Sequence, residues 1–219
     1  MIQPRIFPFG DTALVCELPP PATLLRQRRI WAVAQAAHNW PHVQEVVPGM
    51  NNLTLVFDPL QADSAALSEQ LRAAWHAAGS TAEPVAGRTV DIPVHYGGAD
   101  GPDLAAIASH TGFSAAEVIE RHSQAEYMVF FVGFQPGFAY LGGLDAALHT
   151  PRRAVPRLQV APGSVGIGGA QTGIYPTASP GGWQLLGRTA LALFEPSRTP
   201  AALLQPGDRV RFSVAGVVT

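Results

Sequence analysis

The segment VAPGSVGIGGAQTGIYP (residues 160–176) alternates short apolar pieces with glycine and proline. The same pattern fills the C-terminal half, because from Tyr127 onward no stretch has the apolar spacing of a helix. Turn-forming dipeptides separate the short apolar pieces there: Gly142-Gly143, Pro162-Gly163, Pro180-Gly181 and Pro206-Gly207. Strands this short and this often interrupted predict a β-barrel or a β-sandwich.

The N-terminal half has a different pattern. Residues 11–17, 43–47 and 51–58 have the composition of strands, and residues 22–38 have the apolar spacing of an amphipathic helix. A second helix is predicted to begin near Asp63 and to end before Gly79. The order β-β-α-β-β-α predicts a small α+β sandwich of the ferredoxin-like type.

Residues 79–87 separate the two halves and have the composition of a linker, because they are rich in small residues, proline and glycine. We therefore expect two domains, an α+β domain over residues 1–85 and a β-barrel domain over residues 86–219. The second domain is predicted to begin with a strand at residues 89–96 and two short helices before the barrel strands. The later of these helices carries a capping box, Ser114-Ala-Ala-Glu117.

Composition excludes several classes of protein. The chain has 219 residues, a net charge of −2 and no apolar run long enough to span a bilayer, so neither nucleic acid nor a membrane is an expected partner. Its N-terminus lacks a secretory signal, and we expect a cytoplasmic protein. The single cysteine, Cys16, excludes an internal disulfide and a thiolate zinc site, and no metal site is predicted. All 14 basic residues are arginine, which excludes Schiff-base chemistry, a P-loop and covalently attached biotin on this chain.

Charge and glycine concentrate in one segment. Residues 127–194 hold one acidic residue, Asp145, and four arginines, and 12 of the 22 glycines lie within residues 133–187. Arginine together with glycine-rich backbone is typical of a site for a carboxylate or a phosphate. The alternative is that the glycines form tight barrel turns and the arginines are surface residues. The spacing of the glycines and arginines favours neither interpretation.

Other side chains in this segment suit a small polar ligand. Three aromatic residues around a Pro-Gly turn, Phe134, Phe138 and Tyr140, predict a rigid apolar wall, although such residues are more often core. Uncharged hydrogen-bonding groups follow at Ser164, Gln171, Thr172 and Tyr175. The alternative is that these side chains cap turns. A serine hydrolase is excluded because Pro162 stands where the nucleophile elbow requires glycine.

Four segments resemble one known family over about residues 90–195. They are Tyr96-Gly-Gly-x-x-Gly-Pro-Asp-Leu104, Pro136-Gly-Phe-x-Tyr-Leu-Gly-Gly-Leu144, Gly163-Ser-Val-Gly-Ile-Gly-Gly-x-Gln-Thr-Gly-Ile-Tyr-Pro176 and Ser179-Pro-Gly-Gly-Trp183. They are similar to the family of the 5-oxoprolinase B subunit, which is also called allophanate hydrolase subunit 1 or the KipI-type kinase inhibitor. This resemblance implies a ferredoxin-like N-terminal domain and a cyclophilin-like C-terminal barrel.

The resemblance also implies a function. Members work with a 5-oxoprolinase C subunit, which is of the allophanate hydrolase subunit 2 type, and with an A subunit to open 5-oxo-L-proline to L-glutamate. The complex uses ATP, and the resemblance does not indicate which of its proteins binds the nucleotide. Two alternatives stay open: a regulatory protein that inhibits a sporulation-type histidine kinase, and one half of an allophanate or urea carboxylase-type carboxyltransferase.

With this substrate in mind, side-chain chemistry suggests roles for the candidate residues, and no catalytic residue is assigned. We expect the arginines to hold carboxylate or phosphoryl oxygens and the polar residues to orient the ring beside the aromatic wall. The expected substrate-binding residues are Arg152, Arg157, Ser164, Gln171, Thr172, Tyr175 and Arg188. The expected pocket wall is Phe134, Pro136, Phe138, Tyr140 and Trp183.

Overall fold

The computed structural model describes residues 2–79 and 87–218 and divides into two compact units, within Met1–Val85 and Ala86–Thr219. We call them unit 1 and unit 2. Most of the linker expected at residues 79–87 lies outside the described residues. No helix in the described parts of the chain is long and apolar enough to cross a membrane.

Unit 1 is an antiparallel sheet with two helices. Its elements are β1 (Arg5–Pro8), β2 (Ala13–Glu17), α1 (Leu24–Ala37), β3 (Val43–Pro48), β4 (Asn52–Phe57) and α2 (Ser64–Ala77). The strand order across the sheet is β1-β2-β4-β3, and each neighbouring pair is antiparallel. Along the chain this is the stated order β-β-α-β-β-α, but its first strand, β1, has no counterpart among the segments assigned as strands from the sequence.

Local signals set the helix ends of unit 1. Thr23 caps α1 by accepting from the backbone of Arg26, and Asp63 caps α2 by accepting from the backbone of Ala65. One core lies between helices and sheet, and it includes Leu14, Cys16, Ile30, Val33, Leu53, Leu55, Leu71 and Trp75. Burial raises the pKa of Cys16 to about 12, so this thiol is a small core side chain and not a nucleophile.

Unit 2 begins with one strand and two helices, as expected. These are β5 (Thr89–Gly97), α3 (Leu104–Thr111) and α4 (Ala115–Gln124), and α4 has the predicted capping box between Ser114 and Glu117. The remaining strands are β6 (Glu126–Val132), β7 (Ala139–Gly142), β8 (Arg157–Val160), β9 (Ser164–Gly168), β10 (Gln171–Ile174), β11 (Ser179–Gly181), β12 (Gln184–Arg188) and β13 (Arg209–Val218).

Within residues 87–218, seven strands close into a barrel in the order β10-β7-β6-β13-β5-β12-β9. The α+β class with a C-terminal barrel is therefore confirmed. Outside the barrel, β8 and β11 pair with each other. The barrel interior contains alternate residues of its strands, such as Val165, Ile167 and Ile174, together with side chains of α3 and α4. The residues between them face outward, and the outward-facing glycines of β9 and β10 lie against Trp183, a residue of the candidate site.

Candidate functional site

A cavity of about 240 Å³ is lined by Tyr140 of β7, by residues of β11 and by the loops around these two strands. Its walls are mostly aromatic, formed by Phe134, Phe138, Tyr140, Tyr175 and Trp183. The remaining lining consists of Arg152, Pro156, Pro180, Gly181 and Gly182. The cavity thus combines flat apolar walls with a single cationic side chain.

The aromatic side chains contact one another edge to face. Phe138 is central: its ring centroid lies 5.5 Å from that of Trp183 and 5.3 Å from that of Tyr175, at interplanar angles of 83° and 80°. Phe138, Tyr175 and Trp183 form a small cluster of buried side chains separate from the barrel core. Edge-to-face packing restrains each ring, so the wall is rigid before any ligand arrives.

The glycines beneath Trp183 give the outer barrel face a flat surface. An added Cβ at Gly168 would overlap the indole, and one at Gly166 or Gly173 would lie 3.2 or 3.1 Å from Trp183 atoms. Strand β9 also pairs with β10 and with β12, so it does not form a phosphate-binding loop. At Gly166, Gly168 and Gly173 the absent side chain makes room for Trp183, a role that neither interpretation of these glycines anticipated.

Phe134 forms the outer rim of the cavity. Its side chain is 63% exposed and its φ is 68°, a conformation rare for a residue with a bulky side chain. Its ring contacts Phe138 and Tyr175 edge to face, at centroid distances of 5.4 and 6.5 Å. Phe134 therefore presents an exposed aromatic ring at the rim of the cavity from a backbone conformation that is rare for its residue type.

Arg152 brings positive charge to the cavity. Its guanidinium carbon lies 5.8 Å from the ring centroid of Trp183, and within residues 87–218 it forms no salt bridge. Burial raises the pKa of Tyr140 and of Tyr175, and the charge of Arg152 partly offsets both increases. Arg152 therefore lines the cavity with its charge available to an anion.

Arg157 lies beside the cavity with its charge already paired. Its Nη2 donates to Oδ1 of Asp103 at 2.8 Å, and Arg153 donates to the same oxygen at 3.1 Å. Arg157 Nη1 is buried and has no hydrogen-bond partner among the described residues. Asp103 is a residue that sequence reasoning did not assign to the site. Its position in the Gly101-Pro-Asp-Leu104 motif was the available signal.

Arg188 is held away from the cavity lining. Its Nε donates to the carbonyl oxygen of Pro162 at 2.8 Å, and its Nη1 lies 3.8 Å from Oδ1 of Asp100. The residues that line the cavity also do not include Pro136, which is exposed on the adjacent turn.

The expected polar residues are divided between two environments. Tyr175 lines the cavity, whereas Ser164 and Gln171 do not, and the Nε2 of Gln171 is buried without a hydrogen-bond partner in the described chain. Thr172 lies inside the barrel on the same side of β10 as Ile174. Only Tyr175 of this group is positioned to contact a ligand in the cavity.

Thr172 belongs to a hydrogen-bond chain in the barrel interior. It donates to the carbonyl oxygen of Gly166 at 3.0 Å, so it accepts from Nε2 of His122, also at 3.0 Å. Nδ1 of His122 then accepts from the Tyr96 hydroxyl at 2.9 Å. Burial lowers the pKa of His122 to about 3, so the imidazole is neutral. This chain satisfies polar groups in the core and presents none of them to the cavity.

The described residues contain no group of three His, Cys, Asp or Glu side chains that could hold a metal ion. The aromatic walls and Arg152 together suit a small organic anion with a flat apolar part. Flat rings can pack against the aromatic walls, and an anionic group can pair with Arg152.

Comparison with known proteins identifies the family. The family model for the carboxyltransferase domain, subdomain C and D, matches residues 4–204. The chain belongs to this family. Relatives within the carboxyltransferase C and D family also confirm the resemblance to the 5-oxoprolinase B subunit that the four sequence segments indicated.

Two such relatives carry that name. A 5-oxoprolinase B subunit of Escherichia coli O157:H7 is 53% identical over 212 residues, covering 97% of this chain and 96% of the relative. The protein of the same name from Haemophilus influenzae is 49% identical over 213 residues, covering 97% and 99%. Among solved structures, the Kluyveromyces lactis urea amidolyase matches with a TM-score of 0.82 at 22% identity, over 97% of this chain and 15% of that one, which shows the fold alone.

Proposed function

We propose that this chain is the B subunit of an ATP-dependent 5-oxoprolinase, which opens 5-oxo-L-proline to L-glutamate. The observation that carries this proposal is the near full-length identity of about half to relatives named as the 5-oxoprolinase B subunit. The cavity on the barrel supports it independently, because its chemistry fits the proposed substrate.

5-Oxoproline is a small flat ring that bears a carboxylate. A cavity of about 240 Å³ is smaller than the ~300–1,000 Å³ typical of sites for drug-sized molecules, so it suits a ligand of this size. In our proposal the ring packs against Phe138 and Trp183, and Arg152 pairs with the carboxylate. Tyr175 donates or accepts a hydrogen bond at the ring. Arg157 and Arg188 lie outside the direct contacts, since both are already held by protein oxygens.

The reaction requires activation of the lactam, because a resonance-stabilised amide hydrolyses slowly. Transfer of the terminal phosphoryl group of ATP to the lactam oxygen gives ADP and a reactive imidate phosphate. Water then adds at the same carbon, and the ring C–N bond breaks as the nitrogen takes up a proton, which leaves the γ-acyl phosphate of glutamate. A second water hydrolyses this acyl phosphate to glutamate and phosphate. In this scheme the chain's own contribution is to bind and orient the ring, which lowers the entropic cost of the phosphoryl transfer.

The proposed assembly contains the 5-oxoprolinase C subunit, of the allophanate hydrolase subunit 2 type, and the A subunit, and we place it in the cytoplasm. We propose that this chain alone is inactive. The finer fold assignment is also a proposal: domains at residues 1–85 and 86–219, a cyclophilin-like barrel and a ferredoxin-like first domain. The sheet order β1-β2-β4-β3 supports the ferredoxin-like first domain. Here the edge position beside β2 is filled by β1, the first strand of the chain, whereas a ferredoxin-like sheet has its last strand there.

The test is the release of glutamate from 5-oxoproline by this chain co-expressed with its A and C partners, with ATP present and absent. The control mixture lacks only this chain. Glutamate release that needs both ATP and this chain would establish the function.

Failure of a folded, assembled complex to release glutamate would contradict the proposal. It would favour the carboxyltransferase function, because the matching family model bears that name. A separate biotin carrier would then have to be supplied, since this chain has no lysine to carry biotin. If no carboxyl transfer occurred either, inhibition of a histidine kinase would be tested next.

A further inference from the structure

Asp103 joins three segments that surround the cavity. It lies at the N-terminal end of α3 and is only 4% exposed. Its Oδ1 accepts from Arg153 and Arg157, at 3.1 and 2.8 Å, and its Oδ2 accepts from the backbone N–H of Leu185 at 2.7 Å. Its own N–H donates to the Leu185 carbonyl oxygen at 2.9 Å. One carboxylate therefore holds α3, the arginine segment and β12 together.

The segments that Asp103 holds are the ones that bear the cavity wall. Arg152 precedes Arg153 directly, and Trp183 is two residues before Leu185. The backbone N–H of Arg153 also donates to the carbonyl oxygen of Gly182 at 2.7 Å, which links the two segments at the cavity edge. Movement of Asp103 would therefore change the distance between Arg152 and Trp183.

The neighbouring arginines differ in whether a carboxylate pairs with them. The side chain of Asp103 is 6% exposed, and those of Arg153 and Arg157 are 36% and 23% exposed. A buried carboxylate is costly unless it is paired, so Asp103 fixes both guanidinium groups. Arg152 has no such partner in residues 87–218 and lines the cavity. The pairing leaves Arg152 as the charge that a ligand can use.

We propose that Asp103 is a positioning residue for the cavity, which pairs with Arg153 and Arg157 and holds Arg152 and Trp183 in place for an anionic ligand. This inference rests on the proposed function for the identity of that ligand. Asp103 itself is not among the residues that line the cavity. Its effect is transmitted through the two segments that it holds.

Kinetics of the assembled complex test this role. Asp103→Asn is expected to raise the KM for 5-oxoproline about tenfold, with a smaller effect on kcat, because ground-state positioning is lost. Arg157→Gln alone is expected to change KM by less than about threefold, since Asp103 keeps Arg153 as a partner.

Arg211→Gln, which loses an exposed ion pair with Glu126 in the same unit, is the matched control. Two kinetic outcomes would overturn the proposal: a KM for Asp103→Asn equal to that of the control, or an increase for Arg157→Gln as large as that for Arg152→Gln. The second outcome would mean that Arg157 binds the substrate directly.

A spectroscopic measurement tests the positioning role of Asp103 independently of the proposed function. Trp183 is the sole tryptophan of residues 86–219, and Trp31, Trp40 and Trp75 all belong to unit 1. In protein labelled with 5-fluorotryptophan, Asp103→Asn is expected to shift the ¹⁹F resonance of Trp183 and leave the other three unchanged. Trp183→Phe assigns the resonance. An unmoved Trp183 resonance would contradict the positioning role even if the wild-type complex proved inactive on 5-oxoproline.

The three resonances of unit 1 do not report on folding of unit 2, so a far-ultraviolet circular dichroism spectrum accompanies each variant. If Asp103→Asn fails to fold, Asp103→Glu replaces it, because the longer side chain keeps the charge and displaces the carboxylate. The Trp183 resonance should then shift in a folded protein. Its failure to shift would overturn the proposal.

Discussion

The indole of Trp183 lies directly against Gly168, where any larger residue would overlap the ring. This contact connects the glycine-rich strand β9 to the wall of the cavity. It also explains why the outer face of β9 carries no side chain at this point: the ring takes the space that a side chain would fill.

Gly168→Ala is expected to displace Trp183 from the barrel face and to deform the cavity. We expect the free energy of unfolding to fall by ~1–3 kcal/mol, as for other overpacked sites, and the KM for 5-oxoproline to rise. Chemical denaturation and kinetics of the complex measure the two effects. Gly133→Ala is the control, because its nearest contact would be an ordinary 3.4 Å to the Phe131 ring. Equal behaviour of the two variants would contradict the packing argument.

Arg152→Gln is expected to weaken binding of the substrate carboxylate. A hydrogen bond to a charged group contributes ~1.5–3 kcal/mol, so the KM should rise about tenfold or more while the protein keeps its stability. Initial rates at varied 5-oxoproline concentration provide the measurement, with Arg211→Gln beside it. A normal KM in the Arg152 variant would remove this arginine from the site.

Phe134→Asn is expected to weaken substrate binding while leaving the stability of the protein nearly unchanged. Asparagine adopts positive φ more readily than phenylalanine, which offsets the lost ring contacts, so we expect the free energy of unfolding to stay within about 1 kcal/mol of the parent. The KM for 5-oxoproline should rise severalfold because the cavity loses its rim. A large loss of stability with unchanged kinetics would instead make Phe134 a structural residue.

His122 should make the stability of unit 2 dependent on pH. Its imidazole has a pKa near 6.5 in an unfolded chain, and burial lowers the pKa to about 3 in the folded protein. Between these values the unfolded state binds a proton that the folded state does not. The free energy of unfolding therefore falls as the pH drops below about 6.5, by ~2 kcal/mol between pH 7.5 and pH 5.

His122→Gln removes the titrating imidazole and so tests whether His122 causes this pH dependence. The stability difference between the parent and the variant should shrink by ~2 kcal/mol over the same pH interval, since the other titrating groups cancel. Denaturation followed at the Trp183 ¹⁹F resonance reports on unit 2. Parallel pH profiles for the two proteins would show that His122 is not buried in its neutral form.

Much of the fold follows from short-range signals. Thr23, Asp63 and the Ser114–Glu117 box each fix a helix start through contacts within three residues, and such signals can be read directly from sequence. Strand β1 was missed because it is only four residues long and ends in proline, so its strand character depends on pairing with β2.

The candidate site was less predictable because its contacts are distant in sequence. Asp103 pairs with arginines 50 and 54 residues away, and no local pattern distinguishes a paired arginine from a free one. Thr172 is different, since it shares the inward side of β10 with the apolar Ile174. The two-residue alternation of a strand was sufficient to place its hydroxyl in the barrel interior.

The pairing of β5 with β13 has a consequence for synthesis of the protein. These strands run parallel, with Thr89 opposite Arg209, and so join the first and the last described strands of the barrel. At ~5–20 residues per second, a ribosome takes roughly 6–24 s to deliver β13 after β5 has been made. During that time the barrel cannot close, and an apolar strand edge is exposed to neighbouring nascent chains. We expect newly made protein to depend on chaperones that shield this edge until translation is almost complete.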